Sequence, residues 1–256
     1  MLFTPTFFRV EVTRQFRNPY TLVFTLGMPI AMYLLFGANA AYATASAGNG
    51  NVAFYVMASM ATFGTATAMT SLCALAASEV GQGWGRQIAL TPLSIAGYTV
   101  VKLAVALAFS AISTACVFLV GAVTGARADS PWHWLSVAGI VLAGGLVFGL
   151  FGLGAGLALN SDSASAFASI AITLFGFVGN VFMPLSGTML TIAHFTPMYG
   201  YAALARWPIT EGALVTAGTG PGGDDALWLV LLNVLAWALL FGALVRYGVL
   251  RSRRRR

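Results

Sequence analysis

A chain of 256 residues that is 59% hydrophobic and 8% charged cannot clothe a water-facing surface, because soluble domains carry roughly 25% charged residues. Its mean hydropathy of +0.84 and net charge of +6 call instead for an integral membrane protein with basic ends. A closed β-barrel would alternate apolar and polar residues in segments of about ten, and runs such as 104–120 do not alternate. The expected fold class is therefore all-α.

Residues 1–19 open the chain as an amphipathic interfacial helix. Phe8, Val12 and Phe16 recur every four residues, and Arg9, Glu11, Arg14 and Arg17 fall mostly on the other faces. A secretory signal peptide is the alternative, since small residues at 38–45 mimic cleavage sites. A signal's apolar region is only about 7–15 residues, shorter than 20–38, which favours retention.

A span needs about 20 apolar residues, and the spacing of the charges leaves room for six of them: 20–38, 52–77, 95–124, 134–159, 166–184 and 226–247. Pro29 is an expected kink in the first. The second is rich in Met and Thr, more polar than a lipid-facing helix needs. Lys102, near the start of the third, is expected to snorkel to the interface. In the fourth, Gly145, Gly149, Gly152 and Gly156 share a face that lets another backbone approach. Residues 185–206 stay apolar but are broken by Pro184, Gly187 and Pro197, with Tyr199 beyond. Interrupted apolar backbone at membrane depth must be covered by protein or line a cavity, so a re-entrant helical pair is expected there.

Six spans put both termini on one side with Arg86 and Lys102, leaving only Arg127 and Arg206 opposite. The positive-inside rule makes the first side cytoplasmic, and the basic tail 248–256 suits anionic lipid. A nucleic-acid role for that tail is disfavoured.

Chemistry is mostly absent. Cys73 and Cys116 sit within spans without disulfide or metal spacing, and His133 and His194 each stand alone. The single lysine, Lys102, follows Val, so a phosphate-cradling glycine loop ending in Lys is impossible. No enzymatic activity is expected, and any nucleotide would be hydrolysed by another chain.

The distinctive stretch is 78–93, where charge, glycine, Trp84 and proline gather between apolar runs. Glu79, Gly83, Leu90, Thr91 and Pro92, followed by Lys102, resemble the acidic-glycine connector of permease subunits of type-2 family ABC exporters. Met183-Pro184-Leu185-Ser186-Gly187 with Pro197 and Tyr199 resembles that family's pattern ahead of its re-entrant helices. The likeness covers nearly the whole chain as a single permease domain and includes bacterial drug and antibiotic exporters of the daunorubicin-resistance kind. Val80, Gly81 and Arg86 depart from the family's charges. The resemblance implies a coupling helix over 78–93, gripped by a separate cytoplasmic ATPase that holds ATP and Mg. Glu79, Gly83, Trp84, Arg86, Gln87, Leu90, Thr91 and Pro92 are its expected contacts, with Glu79 and Arg86 two turns apart on one face. It also implies a second permease subunit, a location in a bacterial cell membrane, and export of an amphiphilic compound. Phe24, Met28, Met32, Phe175, Gly179 and Asn180 are candidates for the cargo cavity, with ordinary helix packing as the rival account. A lipid or glycan-lipid cargo and an ATP-independent channel or scaffold remain as alternatives.

Overall fold

The computed structural model describes residues 4–80, 82, 85–88, 90–91, 93–159, 163–214 and 223–254. It is all helical apart from three isolated backbone bridges. In order come α1 (Pro5–Phe16), α2 (Pro19–Leu22), α3 (Met28–Tyr33), α4 (Val52–Glu79) and α5 (Gly85–Ile88). They are followed by α6 (Ile95–Val123), α7 (Pro131–Leu159), α8 (Ser163–Val178), α9 (Gly187–Ala193), α10 (Pro197–Thr210) and α11 (Leu227–Arg254). Among the described residues four helices, α4, α6, α7 and α11, are long and apolar enough to cross a membrane. Two shorter apolar stretches, Val23–Ala38 and Ala166–Val178, accompany them.

The bundle is built around α4. α4 is almost wholly buried, whereas α11 buries little of its length. This explains the polarity of the second apolar run. Ser59, Thr62 and Thr67 return their hydroxyls to carbonyls one turn back. Thr65 meets Thr114 on α6 at 3.0 Å, and Thr70 donates to the Phe148 carbonyl on α7 at 3.1 Å. Small hydroxyl residues thus let neighbours close in while every such donor is satisfied.

The glycine face of α7 lies on α4, as expected. A Cβ at Gly152 would stand 2.2 Å from the Thr70 carbonyl oxygen, and one at Gly156 would stand 2.5 Å from that of Ala74. Both are backbone contacts, which cannot swing aside. These contacts also show that α4 and α7 run parallel. α1, α5, the last turns of α4, α7 and α11 and the first turn of α6 therefore share one end, and 39–51, 124–130, 179–214 and 223–226 share the other.

Several boundaries move from their expected places. The first apolar run is interrupted by two π-helical stretches, Val23–Gly27 and Leu34–Ala38, around α3. The fifth run, expected to reach residue 184, ends at Val178, because Asn180 adopts φ 58° and turns the chain. The expected re-entrant segment, 185–206, contains α9 and most of α10, which runs on to Thr210. The last helix does not stop at 247 but continues through the basic tail to Arg254.

Candidate functional site

The chain's scarce charges converge where α1, the end of α4 and the start of α6 meet. Lys102 Nζ lies 2.6 Å from Glu11 Oε2 and 2.7 Å from Glu79 Oε2. Arg14 reaches Glu79 Oε1 at 2.7 Å and Glu11 Oε2 at 3.2 Å. The Tyr98 hydroxyl donates to Glu79 Oε2, and its ring stacks on Phe7 at 5.7 Å. Two acids and two bases cancel, which is the condition for holding charge out of water. Burial works against the Arg14 charge, but its hydrogen bond to Glu79 and the pull of both carboxylates raise its pKa above the ordinary guanidinium value.

This arrangement corrects two expectations. Lys102 does not snorkel to an interface: it is 6% exposed and paired on both sides. Glu11, read as belonging to a solvated face, is 5% exposed, because α1 turns its Glu11–Gln15 stripe inward against α6. A signal for it was present. A buried lone lysine needs a carboxylate, and the chain has only seven acidic residues.

Just beyond this quartet, α5 forms a single turn. Ile88 is its buried anchor, packed with Ala76 and Tyr98 and touched by Phe7, Val80 and Leu93. The Thr91 hydroxyl donates to the Ile88 carbonyl at 2.8 Å and so folds the chain back toward α6. Ser94 then caps α6, accepting from the Gly97 amide at 3.0 Å. Gln87 is exposed and Leu90 is 90% exposed. Of the other expected contacts, Arg86 falls on α5, while Gly83, Trp84 and Pro92 lie outside the described residues. Glu79 closes α4 with its carboxylate turned inward to the quartet.

The expected cavity residues separate. Phe24 and Met28 line a groove of about 650 Å³ between the first apolar stretch, α4 and α8, whose walls also include Phe63, Thr67, Ile170 and Phe177. Met32, in the same α-helical turn as Met28, is absent from that groove's walls and packs against the core. Phe175 meets Phe151 and Trp237, and Gly179 lies against Met198 and Tyr199. Asn180 belongs to a different pocket of about 420 Å³ at the opposite end of the bundle from the termini.

At that opposite end the first fastening is a neutral one. Asn51 caps α4, accepting from the Phe54 amide at 3.0 Å and the Arg127 amide at 2.9 Å, and it donates to the Gly125 carbonyl at 2.8 Å. Asn49 donates to Glu211 at 2.8 Å. His194 is not alone: it lies 3.0 Å from Asp225, which also accepts from the Tyr199 hydroxyl at 2.5 Å. Burial first, and then the Asp225 carboxylate, raise the Tyr199 pKa, so the phenol remains a donor. Pro184, Gly187 and Pro197 punctuate the same end. Gly187 takes φ 56° at the start of α9, and Pro197 opens α10.

Over 241 residues the chain is 27% identical to a protein of Bacillus subtilis (strain 168) described as "Putative transport permease YvfS", covering 93% of each chain. The chain is similar to a bacterial transport permease. No family model matches it. Among the described residues no group of three or more His, Cys, Asp or Glu could hold a metal ion. The protein is thus a multi-span, all-helical membrane protein and a distant relative of a transport permease.

Proposed function

We propose that this chain is the transmembrane subunit of an ATP-driven ABC exporter with six spans, the two shorter apolar stretches completing the four long ones. Both termini and the 78–93 connector lie in the cytoplasm, and the chain is one permease domain. A separate ATPase grips the connector at Gln87 and Leu90. The observation that carries this reading is the buried quartet of Glu11, Arg14, Glu79 and Lys102, seated beside Ile88. It ties the exposed turn to α1 and to the ends of two helices, so a push on Leu90 reaches α4 and α6 as one body. Glu79 acts in this account as a positioning residue inside the chain.

A second permease subunit covers the exposed apolar side of α8, where Ile170, Leu174 and Phe177 stand beside the open groove. The groove's Phe and Met walls and its Thr hydroxyls suit an amphiphilic cargo such as a drug or antibiotic. The test is purification of the tagged protein from native membranes in mild detergent. Stoichiometric recovery of a soluble ATPase, lost on Leu90→Arg while the permease stays monodisperse, is the expected outcome. Absence of any ATPase under nucleotide-trapping conditions would return the chain to the channel or scaffold reading.

A further inference from the structure

The turn between α8 and α9 carries an unused donor. Asn180 is 2% exposed and sits at φ 58°, a left-handed conformation that asparagine tolerates better than most residues. Its Oδ1 accepts from the Leu185 amide at 2.8 Å, which fixes the orientation of the side-chain amide. Its Nδ2 has no partner among the described residues. A buried donor left unpaired is costly, so a group with a use for it is the natural complement.

Asn180 lines the 420 Å³ pocket together with Tyr55, Phe36, Tyr42, Phe182 and Met183. Tyr55 and Phe182 form its buried wall, and Phe36, Tyr42 and Met183 its exposed rim. Behind that wall lies Arg206, 3% exposed. Its Nη1 donates to the Tyr55 hydroxyl at 2.6 Å and to the Asn180 carbonyl at 3.0 Å, and its guanidinium stands 4.6 Å from the centre of the Tyr55 ring. Accepting from Arg206 leaves the Tyr55 phenol its own proton to donate. Arg206 has no ion pair among the described residues, although Asp225 borders the same small recess. Asn180 and Tyr55, both among the pocket's lining residues, thus bring two donors close to a buried cation at one end, with an aromatic rim at the other.

We infer that this pocket binds an amphiphile through an oxyanion head, a carboxylate or a phosphate, held by the Asn180 amide and the Tyr55 hydroxyl with its apolar body against Phe36, Tyr42 and Met183. The site is separate from the Phe24–Met28 groove. Only the description of its occupant as cargo rests on the exporter reading; the binding itself does not.

The test is calorimetric titration of the purified permease alone, in phosphatidylcholine nanodiscs, against empty nanodiscs. Octyl phosphate, octanoate and octyltrimethylammonium are the probes. Saturable binding of either anion and none of the cation is expected, and the preferred anion distinguishes a lipid-type phosphate head from a carboxylate compound. Asn180→Asp keeps the turn and the bond to Leu185 but replaces the donor with an acceptor, and it is expected to weaken the anion about tenfold or more. Met183→Trp, at the exposed rim, fills the pocket without touching the turn and should weaken it as much. Phe24→Ala, in the other groove, should leave it unchanged. Equal binding of the cation, no saturable signal, or full affinity in both pocket variants would overturn the assignment. Because no ATPase is present, these outcomes are independent of whether one co-purifies.

Discussion

The two ends of the bundle are fastened by different physics. At the end that holds both termini, α1, α4 and α6 are joined by four charges, three of them nearly removed from water. At the other, α4 is tied to the α6–α7 turn by one neutral asparagine that makes three hydrogen bonds. The three dry charges have a steep penalty for partial disruption, so the joint they make behaves as all-or-none, with the half-exposed Arg14 at its wet edge. Neutral hydrogen bonds are lost singly at modest cost, so the second can loosen in steps. On the proposed exporter reading, the stiff joint stands at the end where an ATPase would push.

Substitutions can break this contrast. The largest expected effect is Lys102→Met, which leaves Glu11 and Glu79 facing each other in a buried site and should cost about 3–5 kcal/mol. Thermal unfolding in detergent can follow it with a thiol-reactive dye, since Cys73 is buried until the bundle opens. Arg14 still compensates one carboxylate in Lys102→Met, so adding Glu11→Gln removes the one uncompensated charge and should recover a good part of the loss; a double-mutant cycle measures the coupling. If the two losses simply add, the quartet is not a unit.

Next in size is Asn51→Ala. It removes the α4 cap, worth about 0.5–2 kcal/mol, and the two bonds to the α6–α7 turn. Its melting point should fall by less than that of Lys102→Met and stay flat with salt, because nothing charged is lost.

Arg14→Ala is expected to be the smallest. Its side chain is 42% exposed, and pairs of that kind contribute about 0–1 kcal/mol. Raising salt toward about 1 M, where screening acts within ~3 Å, should erase the difference between Arg14→Ala and the unmodified protein. The same salt should leave the Lys102→Met deficit in place. A salt-sensitive Lys102 deficit would mean that the quartet is wet and the two ends are not so different after all.

The sequence carried the fold class in its charge spacing. Long charge-free runs dictate spans, and Gly145 to Gly156 at helical spacing dictate a close-packed face; α7 lies on α4 along that face. The polarity of the second run was legible as an anomaly, but its cause, burial at the centre of the bundle, was not. Periodicity reports which residues share a face and says nothing of which helix that face meets. Glu11 shows the same limit. A 3.6-residue pattern set it apart from the apolar stripe, and only the approach of α6 turned it into the partner of Lys102.

What the sequence by itself determined, then, is the membrane class, the approximate spans, the basic end and the connector. The tertiary structure alone decided that four scattered charges form one neutral quartet. It also decided that Phe24 and Asn180, read as parts of one cavity, line two. The physical reason is that composition and period act along a single helix, whereas ion pairs at 2.6–2.7 Å join residues as far apart as Glu11 and Lys102. The π-helical stretches at Val23–Gly27 and Leu34–Ala38, and the turn at Asn180, redirect side chains by amounts that no regular spacing encodes.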